Sequence, residues 1–63
     1  MSNGIVEIFG TIMAETDRAI LLFDGVEESW LPLSQIEYDM RNEVGDDLTV
    51  EVPEWLAIES GFV

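Results

Sequence analysis

Apolar and polar residues alternate along most of the chain, and the alternation is interrupted at a few turn-forming residues. Across residues 5–14 the even positions Val6, Ile8, Ile12 and Ala14 are apolar, broken by Gly10. The odd positions mix Ile5, Glu7, Phe9, Thr11 and Met13. A period of two with one dry face and one mixed face predicts a β-strand, and Gly10 predicts a bulge or sharp bend within it. Glu15-Thr16-Asp17 is a polar turn. Residues 18–23 are then nearly all apolar, the pattern of a strand covered on both faces. Asp24-Gly25 follows. Asp-Gly between two apolar-rich runs predicts a hairpin closed by a tight primed turn, with positive φ at both central residues. The return arm sets Val26, Glu28 and Trp30 on one face against Glu27, Ser29 and Leu31 on the other. Pro32 cannot donate a ladder hydrogen bond, so it ends this strand or sits on an edge. Ser34 is placed to cap a short helical turn.

The second half repeats the alternation. Ile36, Tyr38 and Met40 against Glu37, Asp39 and Arg41 predict a strand over residues 36–41, while a helix over residues 35–43 remains an open competitor. Residues 42–47 read as a turn. Leu48, Val50 and Val52 alternate with Thr49 and Glu51 as another strand. Pro53 suits the first position of a helix, Glu54 its positive end, and Gly61 its stop. A helix of about two turns is stable only when docked, and Trp55 and Ile58, three apart, are expected to plug one end of the sheet. The expected fold class is therefore mainly β with one short C-terminal helix. It is a small antiparallel SH3-like or OB-like barrel, or a curled sheet, of four to five strands.

Length and composition restrict this picture. Sixty-three residues allow a single small domain, residues 1–63, with a thin stability margin. With no Cys and no His there is neither a disulfide nor a plausible structural zinc site. Hydrophobic residues make up 48% of the chain, which argues for a folded core over an acidic disordered tail. No apolar run is long enough for a membrane span, and no basic segment precedes an apolar one as in a signal peptide. A cytoplasmic protein is expected, with no membrane partner.

Charge changes the picture most. Fourteen Asp and Glu stand against two Lys and Arg, a net charge of −12. A compact chain of this length is roughly 27 Å across, and the same length of duplex DNA carries roughly 16 phosphates. Solubility alone is satisfied by a charge of about 2 to 8 on a small domain. The excess points to a phosphate imitation that docks on Lys and Arg of a nucleic-acid-binding protein, against the ordinary reading of a solvated polar face. The residues expected to form that surface are Glu27, Glu28, Glu37, Asp39, Glu43, Asp46 and Asp47.

Other chemistry is poorly supplied. No acidic stretch has the alternating spacing of a calcium loop, so no metal or other cofactor is expected. Without His, Cys or Lys, only carboxylates, hydroxyls and Tyr38 are left for catalysis, and no catalytic residue is assigned. The six aromatics, Phe9, Phe23, Trp30, Tyr38, Trp55 and Phe62, are expected in the core, because direct nucleic-acid binding is opposed by the charge. Arg18 and Arg41 are expected to pair with neighbouring acids.

Two segments carry a resemblance: residues 19–25 leading to Trp30-Leu31-Pro32-Leu33-Ser34-Gln35-Ile36, and Val52-Pro53-Glu54-Trp55-Leu56-Ala57. They resemble small phage-encoded proteins with an apolar strand, an acidic turn, a Trp-aliphatic-Pro-Lys-Ser-Gln-Ile segment and a closing Val-Pro-Glu-Trp-Leu-Ala. The resemblance covers roughly residues 18–62, apart from the stretch between the motifs, and implies a small β-rich fold and a mobile-element origin, but no definite activity. Leu33 and Ser60 depart from it, standing where such proteins usually or often carry Lys. A small acidic phage-type protein is similar in kind to the DNA-mimic anti-CRISPR inhibitors, with type I, and type I-C in particular, closest. That likeness implies a non-enzymatic inhibitor in the cytoplasm of the infected bacterial host. Its partner would be the basic DNA-binding surface of a CRISPR surveillance complex, with no small-molecule substrate. The alternative is a phage-derived interaction or accessory module that docks through an apolar patch of Trp30, Leu31 and Leu33, without DNA mimicry.

Overall fold

The period-two pattern folds as four strands of one antiparallel sheet in the computed structural model, which describes residues 4–63. The strands are β1 (Ile5–Glu15), β2 (Ala19–Phe23), β3 (Glu28–Pro32) and β4 (Asp47–Pro53), arranged β3-β2-β1-β4. Helix α1 (Glu54–Glu59) follows. Strand β1 is shared between two offset halves of the sheet. Its residues 5–11 pair with β4 and its residues 11–15 with β2, so the two halves overlap at Thr11, in register with Asp47 and Phe23, and Ile12 opposite Leu22 also bonds the backbone of Gly45 and Asp46. Among the described residues the sheet stays open between β3 and β4, and no barrel is closed.

Even-numbered residues of β1 face inward as their pattern requires. Ile8 and Ile12 join Ile20, Leu22, Leu31, Leu48, Val50 and Val52 in an aliphatic core, which Ile36, Leu56 and Ala57 cover. Gly10 is buried in this face, where a Cβ would lie 2.5 Å from the Phe23 carbonyl oxygen. The register shift expected at Gly10 lies between Ile12 and Ala14 instead. Gly10 supplies the close approach of two backbones, and Met13 is the extra residue.

Several local expectations are corrected. The hairpin forms, but with four residues between Phe23 and Glu28 and no non-glycine residue at positive φ. Asp24 Oδ1 accepts the N–H groups of Val26 (2.9 Å) and Glu27 (2.7 Å), so a side chain closes the loop and the left-handed strain of a primed turn is avoided. Only Gly25 takes positive φ, at 105°. The outer face of β2 is half-covered, because no second layer packs on that side. A 3-10 turn forms over Leu33–Gln35, but Ser34 lies inside it and Pro32 stands at its cap position, without a side-chain hydrogen bond.

Residues 36–41 form neither the expected strand nor a helix. A single antiparallel bridge joins Glu37 to Glu51 through reciprocal N–H···O bonds of 3.0 and 2.8 Å. Pairing stops there because Asp39 accepts the N–H and guanidinium of Arg41 and turns the chain away. At the C-terminus the helix buries Leu56 and Ala57, while Trp55 and Ile58 are 55% and 57% exposed and plug nothing. The phase is set by Pro53 at the cap and Glu54 as the first helical residue. Gly61 (φ 88°) closes the helix, with Gly61 N–H bonded to Ile58 O and Phe62 N–H to Ala57 O, the paired bonds of a Schellman motif. Among the described residues no helix is long and apolar enough to cross a membrane.

Candidate partner-binding surface

The face of the sheet turned away from the core is set by the odd-numbered residues of β1. Glu7 lies directly opposite Glu51 on β4, and Glu51 lies opposite Glu37 across the bridge. Three glutamates therefore stand side by side on adjacent segments, where like charges in direct register are destabilising. With Tyr38, Asp39 and Thr49 they line an open depression. Burial, with the nearby Glu15 charge, raises the Tyr38 hydroxyl above its usual value. One step along the strands Phe9 pairs with Thr49, and one step further Thr11 donates its hydroxyl to Asp47 Oδ1.

The seven acids expected at the surface fall into two groups. Glu37, Asp39, Glu43, Asp46 and Asp47 lie on β4 or in the segment leading to it. Glu43 and Asp46 are tied together, with Glu43 N–H donating to Asp46 Oδ2 and Asp46 N–H to Glu43 O. Glu28 lies at the far edge on β3, opposite Phe23, so it is three strand spacings from Asp47, about 14 Å. Glu27 is half-buried and folds against Gly61. Asp39 is partly neutralised, because the Arg41 guanidinium forks onto both its oxygens and holds its carboxyl below the usual range. This is the only ion pair among the described residues, so Arg41 pairs as expected and Arg18 does not.

Sequence reasoning missed Glu7 and Glu51, which complete the row with Glu37. Each looked like an ordinary polar member of its own strand. The available signal was that both sit on mixed faces of strands that pair. The aromatics are also corrected in part: Tyr38 and Phe62 are half-buried against the core, none is fully buried, and Phe9 (65%) and Trp30 (48%) are exposed on the outer face. Short aliphatic side chains fill the thin space between the curled sheet and its cover. The apolar patch of Trp30, Leu31 and Leu33 does not exist as a unit, since Leu31 is fully buried on the other face and Leu33 packs against the core.

Among the described residues no group of three or more His, Cys, Asp or Glu converges to hold a metal ion. The glutamate row is a line of separate carboxylates, suited to meeting a row of cations. No family model, curated protein or solved structure matches the chain.

Proposed function

We propose that the chain is a non-enzymatic inhibitor that brings DNA-like charge to the basic, DNA-binding surface of another protein and excludes DNA from it. The observation that carries this reading is uncompensated charge. None of the fourteen carboxylates is buried, and one ion pair accounts for all the neutralisation among the described residues. The molecule is 34 Å long, about one turn of duplex. Its net charge of −12 over that length is one charge per about 2.8 Å, against one per ~1.7 Å for DNA. A marginal domain gains nothing in stability from aligning Glu7, Glu51 and Glu37, which favours a role outside folding.

The partner to test first is a CRISPR surveillance complex, a choice that follows from the small size and net charge of −12, which the chain shares in kind with DNA-mimic anti-CRISPR inhibitors. In a competition assay with target duplex, the wild-type chain should displace DNA from the complex. Reversing Glu7, Glu37 and Glu51 to Lys should abolish displacement, and reversing Glu27, Glu28, Asp46 and Asp47 should weaken it. Full displacement by both reversed variants would refute the reading. A second reading, an apolar interaction module, is favoured by the exposure of Trp30 and Phe9. It predicts that Trp30→Ala damages binding more than any charge change.

A further inference from the structure

The exposed aromatics and the acids are interleaved on one face. Phe9 has Glu7 and Thr11 as its neighbours two residues away on β1, Thr49 directly opposite, and Glu51 and Asp47 on the two diagonals. An exposed ring is thus bordered by three carboxylates. Thr11 fixes the Asp47 carboxylate through Oδ1 and leaves Oδ2 available among the described residues. On the other half of the sheet Trp30 stands opposite Leu21, with Glu28 two residues before it on the same face.

Charge decides what covers this face. A second copy would set −12 against −12, and a nucleic acid approaching to stack on the rings is repelled by the same field. The complementary occupant is cationic. Between the two cationic side chains, a guanidinium stacks on an aromatic face while its N–H fork reaches carboxylates, whereas an ammonium acts as a compact point charge.

We propose that the outer face of the sheet is the docking surface for an arginine-bearing basic protein, with Phe9 receiving a guanidinium between Glu7, Glu51 and Asp47. This deepens the decoy reading and rests on its premise of a basic partner: the surface selects arginine over lysine through an aromatic ring, which a bare row of phosphates lacks.

The test is an NMR titration of the whole chain with hexa-arginine and hexa-lysine peptides at about 0.15 M salt. The arginine peptide should bind about fivefold more tightly, the scale of a cation–π contact at an exposed ring. The largest shifts should fall on residues 7–11 and 47–51. Phe9→Leu keeps an apolar side chain and removes the ring, so it should bring the arginine peptide down to the lysine level. Glu51→Gln leaves the ring and should weaken both peptides. Equal affinities for the two peptides, a preference that survives Phe9→Leu, shifts centred elsewhere, or unchanged binding by Glu51→Gln would each overturn the proposal. Such a failure leaves DNA displacement intact, whereas lost displacement with the arginine preference retained overturns only the decoy reading.

Discussion

A methyl group on Gly10 would lie 2.5 Å from the Phe23 carbonyl oxygen and 3.2 Å from Leu22 Cγ, so backbone would have to move to admit it. Gly10→Ala should therefore destabilise the fold by about 1–3 kcal/mol, the usual cost of overpacking, as read from the denaturant midpoint. Gly25 and Gly45 have open space around them, but their positive φ makes substitution costly for conformational reasons. Asp24 is a different kind of single-residue control. The N–H groups of Glu27 and then Val26 hold its carboxyl below the ordinary value of 3.8. A carboxyl depressed in the folded state contributes stability above its unfolded value and loses it as pH falls through the folded one. The stability difference between wild type and Asp24→Asn should be constant near neutral pH and shrink as the pH falls below 3.8 through the lowered folded-state value, followed by thermal melts across that range. A difference that does not depend on pH would show that the charge contributes nothing to the turn.

The strands, their order of appearance and the closing helix were legible as elements, because alternation at Val6, Ile8 and Ile12, or at Leu48, Val50 and Val52, has one physical meaning. What was not legible depended on partners far away in the chain. Alternation at Ile36, Tyr38 and Met40 predicts a strand, yet a strand also needs an edge to pair with, and Arg41 on Asp39 ends the pairing after Glu37. The buried face of α1 depends on which residue begins it, and Pro53 with Glu54 turns Leu56 and Ala57 inward. The acidic surface was visible in the sequence as composition. Its one ordered row was not, since Glu7 and Glu51 meet only through the β1–β4 register. That row carries its own prediction. Glu51 lies between two like charges, so Glu51→Gln should stabilise the sheet by roughly 0.2–1 kcal/mol, and added salt should erase most of the gain. Destabilisation by this change would mean that the row is held by interactions other than those between its charges.

At the scale of the whole molecule two features oppose each other. An aliphatic core of eleven buried residues holds an unclosed sheet whose β4 edge carries only the Glu37 bridge, and a net charge of −12 repels itself across a body only 34 × 23 × 16 Å. Screening should relieve that repulsion, so the melting temperature should rise with salt while binding to a basic partner weakens. These opposite signs separate the use of the charge from its cost. The most direct measurement is the affinity of the chain for a CRISPR surveillance complex across a salt series, with and without bound target duplex. Affinity is predicted to fall by roughly tenfold or more between about 50 and 200 mM salt, and the duplex and the chain to exclude each other. Binding that ignores salt, or a complex that holds the chain and the duplex together, would contradict it.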